Sequence, residues 1–123
     1  MKHNPVRWFE IYVQDMKRAK KFYEKVLAVK LAKLKNPGME MWSFPMEMQG
    51  RGCAGALVCM QGVPSGCGGT LVYFASEDCA LEEARVIKAG GQIHRSKMSI
   101  GEYGFISLVH DTEGNLVGLH SLQ

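Results

Sequence analysis

The sequence predicts an α+β fold in which one βαβββ module occurs twice in tandem. Strand-like and helix-like segments follow each other in the same order in both halves of the chain. Each helix-like segment begins after an aspartate, Asp15 in the first half and Asp78 in the second. The two halves align at an offset of about 63 residues, the kind of fixed spacing that marks an internal repeat. The 123 residues, 46% of them apolar, suffice for one domain with its own core.

The first module is predicted to occupy residues 1–62. Residues 6–13 are rich in aromatic and β-branched side chains and predict the first strand. Asp15 is expected to cap a helix that runs to about Leu27, because apolar residues recur after it at helical spacing. Three strands are then predicted at about 30–35, 39–46 and 53–60, with turn-like segments at 36–38 and 49–52 between them.

The second module, residues 70–123, repeats this order after a glycine-rich segment at 63–69 that is predicted to be a linker. A strand at 71–75 precedes a helix capped by Asp78 and ended by a pair of glycines at 90–91. The last three strands are predicted at about 92–95, 103–110 and 115–122.

Composition and charge argue against several classes of protein. The net charge is +3, and the lysines of the first third lie between the apolar positions of the first predicted helix. A solvated helix face explains them better than a nucleic-acid partner. No apolar run approaches the roughly 20 residues that span a bilayer, and the first residues lack the apolar stretch of a signal peptide, so no membrane partner is expected. The four cysteines form no CxxC pair, which predicts reduced thiols and a cytoplasmic protein.

A family resemblance is carried by short stretches in both halves. They are FEIYVQDM at 9–16, RAKKFY at 18–23 and VL at 26–27, then YF at 73–74, Asp78, AGG at 89–91 and DTEGN at 111–115. In these residues the chain resembles the vicinal oxygen chelate superfamily of glyoxalase I, bleomycin resistance proteins and extradiol dioxygenases. It is most similar to the predicted enzymes related to lactoylglutathione lyase. Ala28 stands where the family usually has glycine after the first helix.

The resemblance implies curved sheets that form a half-open barrel around a central pocket, a small-molecule ligand and a homodimer. Metal-dependent members place four ligands on strand positions that correspond here to Trp8, about Gly55, Leu71 and Gly118. None of these side chains has a donor atom for a divalent cation, and a shift of one residue at the second position gives only alanine. We therefore expect neither a metal nor another cofactor.

Alternation along the strands predicts which residues face the pocket. The apolar set Phe9, Ile11 and Val13 is expected to pack under the helix, which leaves Trp8, Glu10 and Tyr12 facing the cavity. The same parity directs Leu71, Tyr73 and Ala75 of the second module inward, together with Leu116, Gly118 and His120 of the last strand.

The candidate site residues each have a functional and a structural interpretation. Burial raises the pKa of a carboxyl group, so Glu10 is a candidate general base; alternatively it is a structural glutamate paired with Arg7 or Arg18. His120 is a candidate proton shuttle or a half-exposed residue at a strand end. Trp8 either stacks on a planar ligand or fills the cavity.

Two tyrosines and one loop complete the candidate site. Tyr12 and Tyr73 are candidates to donate to a substrate carbonyl, or they pack with satisfied hydroxyl groups. Residues 97–104 are predicted to form a mobile loop at the mouth of the second module that closes over a ligand. Tyr103 of this loop is a candidate substrate-binding residue.

The favoured function is that of a lyase- or isomerase-like enzyme that acts without metal on a small carbonyl or aromatic metabolite. The alternative is a binding protein that sequesters a planar small molecule, as bleomycin resistance proteins do. A metal enzyme with relocated ligands is less favoured, because His110 and His120 lie about 16 Å apart along one predicted hairpin. A nucleic-acid binder ranks last.

Overall fold

The computed structural model describes residues 3–123 and contains the βαβββ order twice, as the sequence predicts. The chain divides into two compact units. The first unit comprises residues 8–70, and the second comprises residues 71–123 together with the segment that ends at Arg7. Within residues 3–123 no helix is long and apolar enough to cross a membrane.

The first unit contains helix α1 and most of a four-stranded sheet. Its elements are β1 (Val6–Tyr12), α1 (Met16–Leu27), β2 (Ala32–Leu34), β3 (Glu40–Ser43) and β4 (Ala54–Cys59). The strands lie in the order β2-β3-β4-β1. Strand β1 runs parallel to β4, whereas β3 is antiparallel to both β2 and β4. A helical crossover connects strands of the same sheet, as the parallel β1–β4 pair requires.

Helix α1 begins and ends at residues that the sequence singles out. The Asp15 carboxylate accepts a hydrogen bond of 3.0 Å from the backbone N–H of Arg18, which satisfies one of the free amides of the first turn. The helix ends at Leu27, and Ala28 adopts the left-handed conformation with φ 55° and ψ 48°. Ala28 is the one non-glycine residue of the described chain with a positive φ.

Two apolar clusters cover the two faces of the first unit's sheet. The cluster under α1 is built around Val13, Met16, Leu31 and Leu57, with Ile11 and Tyr23 packed against it. The cluster on the opposite face is built around Met41, Ala56 and Val58, with Trp8 and Tyr12 packed against it. The predicted alternation along β1 is therefore confirmed.

The second unit contains β5 (Thr70–Ala75), α2 (Cys79–Val86), β6 (Gln92–Ser99), β7 (Phe105–His110) and β8 (Leu116–Ser121). The strands lie in the order β5-β8-β7-β6, with β5 and β8 parallel and the other pairs antiparallel. Asp78 caps α2 by accepting a hydrogen bond of 3.0 Å from the Ala80 N–H. Cys79, Val109 and Leu119 form the core between α2 and the sheet, as the predicted parity of β8 requires.

The loop expected at residues 97–104 does not exist as such, which is the main correction to the predicted elements. Strand β6 continues through Ser99, and a single 3₁₀ turn at Gly101–Tyr103 leads into β7. Polar contacts to α2 and its cap hold the strand there. Lys97 donates its N–H to Glu83 at 2.7 Å, and its ammonium group forms an ion pair with Asp78 at 2.8 Å. Residues 97–99 of the expected lid thus belong to a strand in which Lys97 has fixed partners, and residues 101–103 form the 3₁₀ turn.

Candidate functional site

The best-defined polar group on an apolar wall is the carboxylate of Glu10. It lies in the middle of β1, on the sheet face opposite α1, and the residue is only 8% exposed. Buried glutamates are rare unless their charge is satisfied, so the contacts of this carboxylate matter.

Both neighbours of Glu10 on the same face of β1 donate hydrogen bonds to it. The Trp8 indole N–H donates to Oε2 at 3.1 Å, and the Tyr12 hydroxyl donates to Oε1 at 2.6 Å. The second distance lies in the range of hydrogen bonds from hydroxyl groups to ionised carboxylates. Because residues two apart in a strand share one face, the sequence order W-x-E-x-Y by itself brings these three groups together. The carboxylate is thereby held in one orientation.

Small and apolar residues surround this group in the first unit. Along the parallel β1–β4 pair, Glu10 lies beside Ala56 and Trp8 beside Ala54. Ala56 is fully buried, and Met41 of β3 covers the same face. Alanine at both positions leaves room for the indole ring next to the carboxylate. The arrangement presents one fixed charge and one aromatic surface in an otherwise apolar setting.

The second position of the expected metal-ligand set needs a correction. Gly55 was expected on the Trp8 face, but it is the neighbour of Phe9 and lies on the face that carries α1. A Cβ atom at position 55 would overlap the Phe9 ring, so this glycine makes room for a core aromatic residue. The β4 residues on the Trp8 face are Ala54 and Ala56. The correction leaves the donor set unchanged, since neither alanine can ligate a metal.

The two expected ligand positions of the second unit also lack donors. Leu71 is buried, and Gly118 of β8 lies beside Tyr73 of β5. The Tyr73 ring covers Gly118 so closely that a Cβ atom there would overlap it. Throughout residues 3–123 no three His, Cys, Asp or Glu side chains gather into a cluster that could hold a metal ion. The residues at the family's ligand positions therefore do not fit a divalent cation.

His120 is placed on the face predicted for it, but both of its ring nitrogens have protein partners. Arg7 Nη1 lies 3.0 Å from Nδ1, and the Tyr103 carbonyl oxygen lies 2.6 Å from Nε2. Arginine can only donate, so Nδ1 accepts and Nε2 carries the proton that it donates to Tyr103. Arg7, which the sequence offered as a partner for Glu10, contacts His120 instead.

The structure thus brings the candidate residues together in three groups. Trp8, Glu10 and Tyr12 form one group in the first unit. Tyr73 and Gly118 form a second group and His120 and Tyr103 a third, both in the second unit. Tyr103 is 62% exposed, and its backbone carbonyl makes the contact to His120. The Arg7 contact was missed because it joins residues 113 positions apart in the sequence.

The acidic groups with resolved pKa shifts have structural partners. A hydrogen bond from Lys97 lowers the pKa of Asp78, and the Asp78 carboxylate in turn raises the pKa of Lys97. Hydrogen bonds from the Asn115 side chain and from the Asn115 and Glu113 backbone amides lower the pKa of Asp111. The Asp111 contacts hold the turn between β7 and β8, as the sequence predicts for this segment.

Comparisons with known proteins agree with this architecture. The model of the Glyoxalase/Bleomycin resistance protein/Dioxygenase superfamily matches residues 6–119. No curated protein matches the sequence. Among solved structures, methylmalonyl-CoA epimerase from Mycobacterium tuberculosis has a TM-score of 0.69 and 16% identity, covering 97% of this chain and 88% of its own.

Two further solved structures have similar scores. A hypothetical protein from Bacillus halodurans C-125 has a TM-score of 0.73 and 15% identity, with 99% of this chain and 96% of that chain covered. A variant of Streptomyces coelicolor methylmalonyl-CoA epimerase in complex with 2-nitronate-propionyl-CoA has a TM-score of 0.67 and 15% identity, with 96% of each chain covered. At these identities the likeness concerns the fold, which is the α+β glyoxalase-like fold.

Proposed function

The chain belongs to the Glyoxalase/Bleomycin resistance protein/Dioxygenase superfamily, and from that premise we propose that it is an enzyme acting on a small carbonyl or aromatic compound. In this proposal Glu10 is the general base and the family's divalent metal takes no part. The reaction class is removal of a proton from a carbon next to a carbonyl group, as in lyases and isomerases.

The observation that carries the proposal is the hydrogen-bonded Glu10 carboxylate on an apolar wall. A base that is already oriented needs no reorganisation when it takes a proton, and apolar surroundings strengthen its electrostatic interactions. The Trp8 N–H and the Tyr12 hydroxyl supply that orientation at 3.1 and 2.6 Å. An apolar side chain at this position would avoid the desolvation cost of a buried carboxylate but would take away the acceptor of the Trp8 and Tyr12 donors.

The absence of donor side chains at the family's ligand positions supports a metal-independent reaction. Trp8, Leu71 and Gly118 cannot ligate a cation, and the residues of β4 that share a face with Trp8 are alanines. Without a Lewis acid the substrate carbonyl needs hydrogen-bond donors. We assign that role to Tyr73, because Tyr12 already donates its single hydroxyl proton to Glu10. Trp8 is the stacking surface, Leu71 is an apolar contact, and Gly118 makes room for the Tyr73 ring.

The neighbouring structures are compatible with this reaction class. Several are methylmalonyl-CoA epimerases, and epimerisation next to a carbonyl group consists of removing and returning one proton. We propose the same elementary step here, on a substrate that the likeness does not specify. His120 would act as the second proton carrier and Tyr103 would bind substrate only if the contacts with Arg7 and the Tyr103 carbonyl open.

The second candidate function is binding without turnover. It is favoured by the apolar character of the wall around Glu10, where the Trp8 ring packs against Met41, Ala56 and Val58. Such a wall suits a planar ligand that is held rather than converted. A metal-dependent lyase with relocated ligands stays the third candidate.

The deciding experiment measures proton abstraction across several classes of candidate substrate at once. The protein, purified with chelator, is incubated in D₂O with a panel of small ketones, aldehydes, thioesters and phenols, and proton NMR follows the loss of exchangeable C–H signals. We expect exchange for at least one compound class in the wild type and none above background in Glu10→Gln. Lys17→Gln, a change at an exposed position of α1, which packs on the sheet face opposite Glu10, serves as the matched control and should exchange at the wild-type rate.

Three results separate the candidates. Exchange that Glu10→Gln abolishes supports the general base. Trp8 fluorescence is measured in a Trp42→Phe background. If a panel compound quenches it without C–H exchange, and Glu10→Gln leaves the quenching unchanged, the result supports the binding protein. Exchange that disappears with chelator and returns with a divalent cation supports relocated ligands and contradicts the metal-independent reaction.

We further propose that the protein is a cytoplasmic homodimer that binds neither nucleic acid nor membrane. The family resemblance supports the dimer, and the modest net charge of +3 supports the absence of a nucleic-acid partner. Light scattering should give twice the chain mass of 13.7 kDa. A monomeric mass at micromolar concentration would contradict the dimer.

A further inference from the structure

Two histidines that the proposed function does not use lie in ring contact in the second unit. The imidazole rings of His94 on β6 and His110 on β7 have centroids 5.2 Å apart and planes at 88° to each other. Within residues 3–123 neither ring forms a hydrogen bond with the protein. His94 is exposed and His110 is half-buried, so solvent reaches the pair.

A β-bulge in the edge strand produces this contact. Ile93 pairs with Val109 and Arg95 pairs with Leu108, so β6 advances two residues while β7 advances one. His94 is therefore the extra residue of the bulge. Bulges redirect a side chain relative to the regular pleat and recur at functional sites. Here the bulge lies diagonally opposite His110, which itself pairs with Gln92.

We propose that His94 and His110 form a binding site for a divalent transition metal of the imidazole-preferring class, Cu²⁺, Ni²⁺ or Zn²⁺. The ring separation fits this assignment. With a metal–nitrogen distance of about 2.1 Å, a tetrahedral angle and a ring centre about 1.1 Å behind each nitrogen, two coordinating imidazoles have centroids roughly 5 Å apart. The observed distance between the ring centres is 5.2 Å, so the two rings need a change of orientation but not of separation to share one ion.

The surroundings determine which metals the site would take. The neighbouring carboxylate, Asp111, already accepts three hydrogen bonds from Glu113 and Asn115, so it contributes negative charge rather than a ligand. The protein ligands are therefore two neutral nitrogen donors, and water completes the coordination. Nitrogen donors select late transition metals over Mg²⁺ and Ca²⁺, which require oxygen ligands. Open positions leave the metal accessible to a ligand from solution.

Charged groups close to the pair affect the binding of a cation, because each imidazole coordinates the metal through the lone pair of a neutral nitrogen. The charged groups near the pair are Asp111 beside His110 and Arg95 next to His94 in the chain. Arg95 Nη1 lies 4.0 Å from the Met98 sulfur, and its backbone carbonyl accepts from Ser107.

The test uses Cu²⁺ as the probe and an untagged full-length reference protein that carries His3→Gln and serine in place of the two exposed cysteines. A histidine at the third position chelates Cu²⁺ through its imidazole, the α-amino group and two backbone amides, and exposed thiols bind and reduce Cu²⁺, so either would mask the pair. We expect calorimetry to show one Cu²⁺ per chain with half-saturation below about 0.1 mM, and electron paramagnetic resonance to show two nitrogen ligands. His94→Gln and His110→Gln, each made in the reference protein, should lower the affinity at least tenfold. Lys17→Gln, which changes an exposed residue of the first unit, is the matched control and should bind as the reference protein does.

NMR of the reference protein keeps the test independent of the folding of the His94 and His110 variants. Substoichiometric Cu²⁺ should broaden the imidazole signals of His94 and His110 first and leave those of His120 sharp. Half-saturation above about 0.1 mM would overturn the proposal. Equal affinity of the His94→Gln variant and the reference protein, or first broadening at His120, would overturn it as well.

Discussion

The hydrogen bond between Tyr12 and Glu10 gives a quantitative test of whether the Glu10 carboxylate is ionised. The hydroxyl and Oε1 are 2.6 Å apart, which suits a charge-assisted bond. Removing the hydroxyl by Tyr12→Phe in the wild type should cost about 1.5–3 kcal/mol of unfolding free energy, the range for bonds to charged groups. In the Glu10→Gln background the same change removes a neutral bond and should cost about 0.5–1.5 kcal/mol.

The assay is a double-mutant cycle in urea. With a slope of about 1–3 kcal/mol per molar urea, the single Tyr12→Phe variant should unfold at roughly 1 M lower urea than the wild type. The expected coupling energy between Tyr12 and Glu10 is about 1–1.5 kcal/mol. Glu10→Gln alone should change stability little, because its amide can accept from the Trp8 N–H and donate to the Tyr12 oxygen. A coupling energy within the usual additivity error of about 0.5 kcal/mol would refute the charged bond.

The remaining predictions concern backbone strain, packing and acid stability. Ala28→Gly should stabilise the protein by about 0.5–1 kcal/mol, seen as a higher melting temperature, because glycine adopts φ 55° without steric cost. Gly118→Ala should destabilise it by about 1–3 kcal/mol in urea, since the new Cβ overlaps the Tyr73 ring. Asp78 has a lowered pKa in the folded state, so its ion pair with Lys97 stabilises the fold above the ordinary carboxyl pKa and ceases to do so as the pH falls through the lowered value. Asp78→Asn should therefore flatten the loss of stability below about pH 4 in a pH series of urea midpoints.

Features with a local cause could be predicted from the sequence. Side chains along a strand alternate between its two faces. The pattern of apolar and polar residues in β1 therefore predicts that Glu10 lies on the face opposite the helix, as observed. Capping likewise involves residues two or three positions apart. Asp15 and Asp78 therefore marked the starts of both helices correctly.

Features that depend on strand pairing could not be predicted in the same way. The face on which Gly55 lies follows from its register with Phe9, and a slip of one residue reverses it. The length of β6 depends on contacts of Lys97 with α2 and with the residue that caps α2. The local sequence of β6 does not predict these contacts. The contact of His94 with His110 needs a bulge in one strand, and the sequence of that strand alone does not place it.

Trp8 links the two properties of the first unit on which the proposed function rests. An indole N–H can donate but has no lone pair for a metal, so one residue both removes a ligand position and helps to hold Glu10. Because the β4 neighbours on that face are Ala54 and Ala56, Trp8→His would leave this face of β1 and β4 with only the new imidazole and Glu10 as metal ligands. It would also take away the indole donor that now orients the carboxylate. The single substitution should therefore impair Glu10 without creating a metal site. Several residues would have to change together to convert the metal-independent reaction into a metal-dependent one.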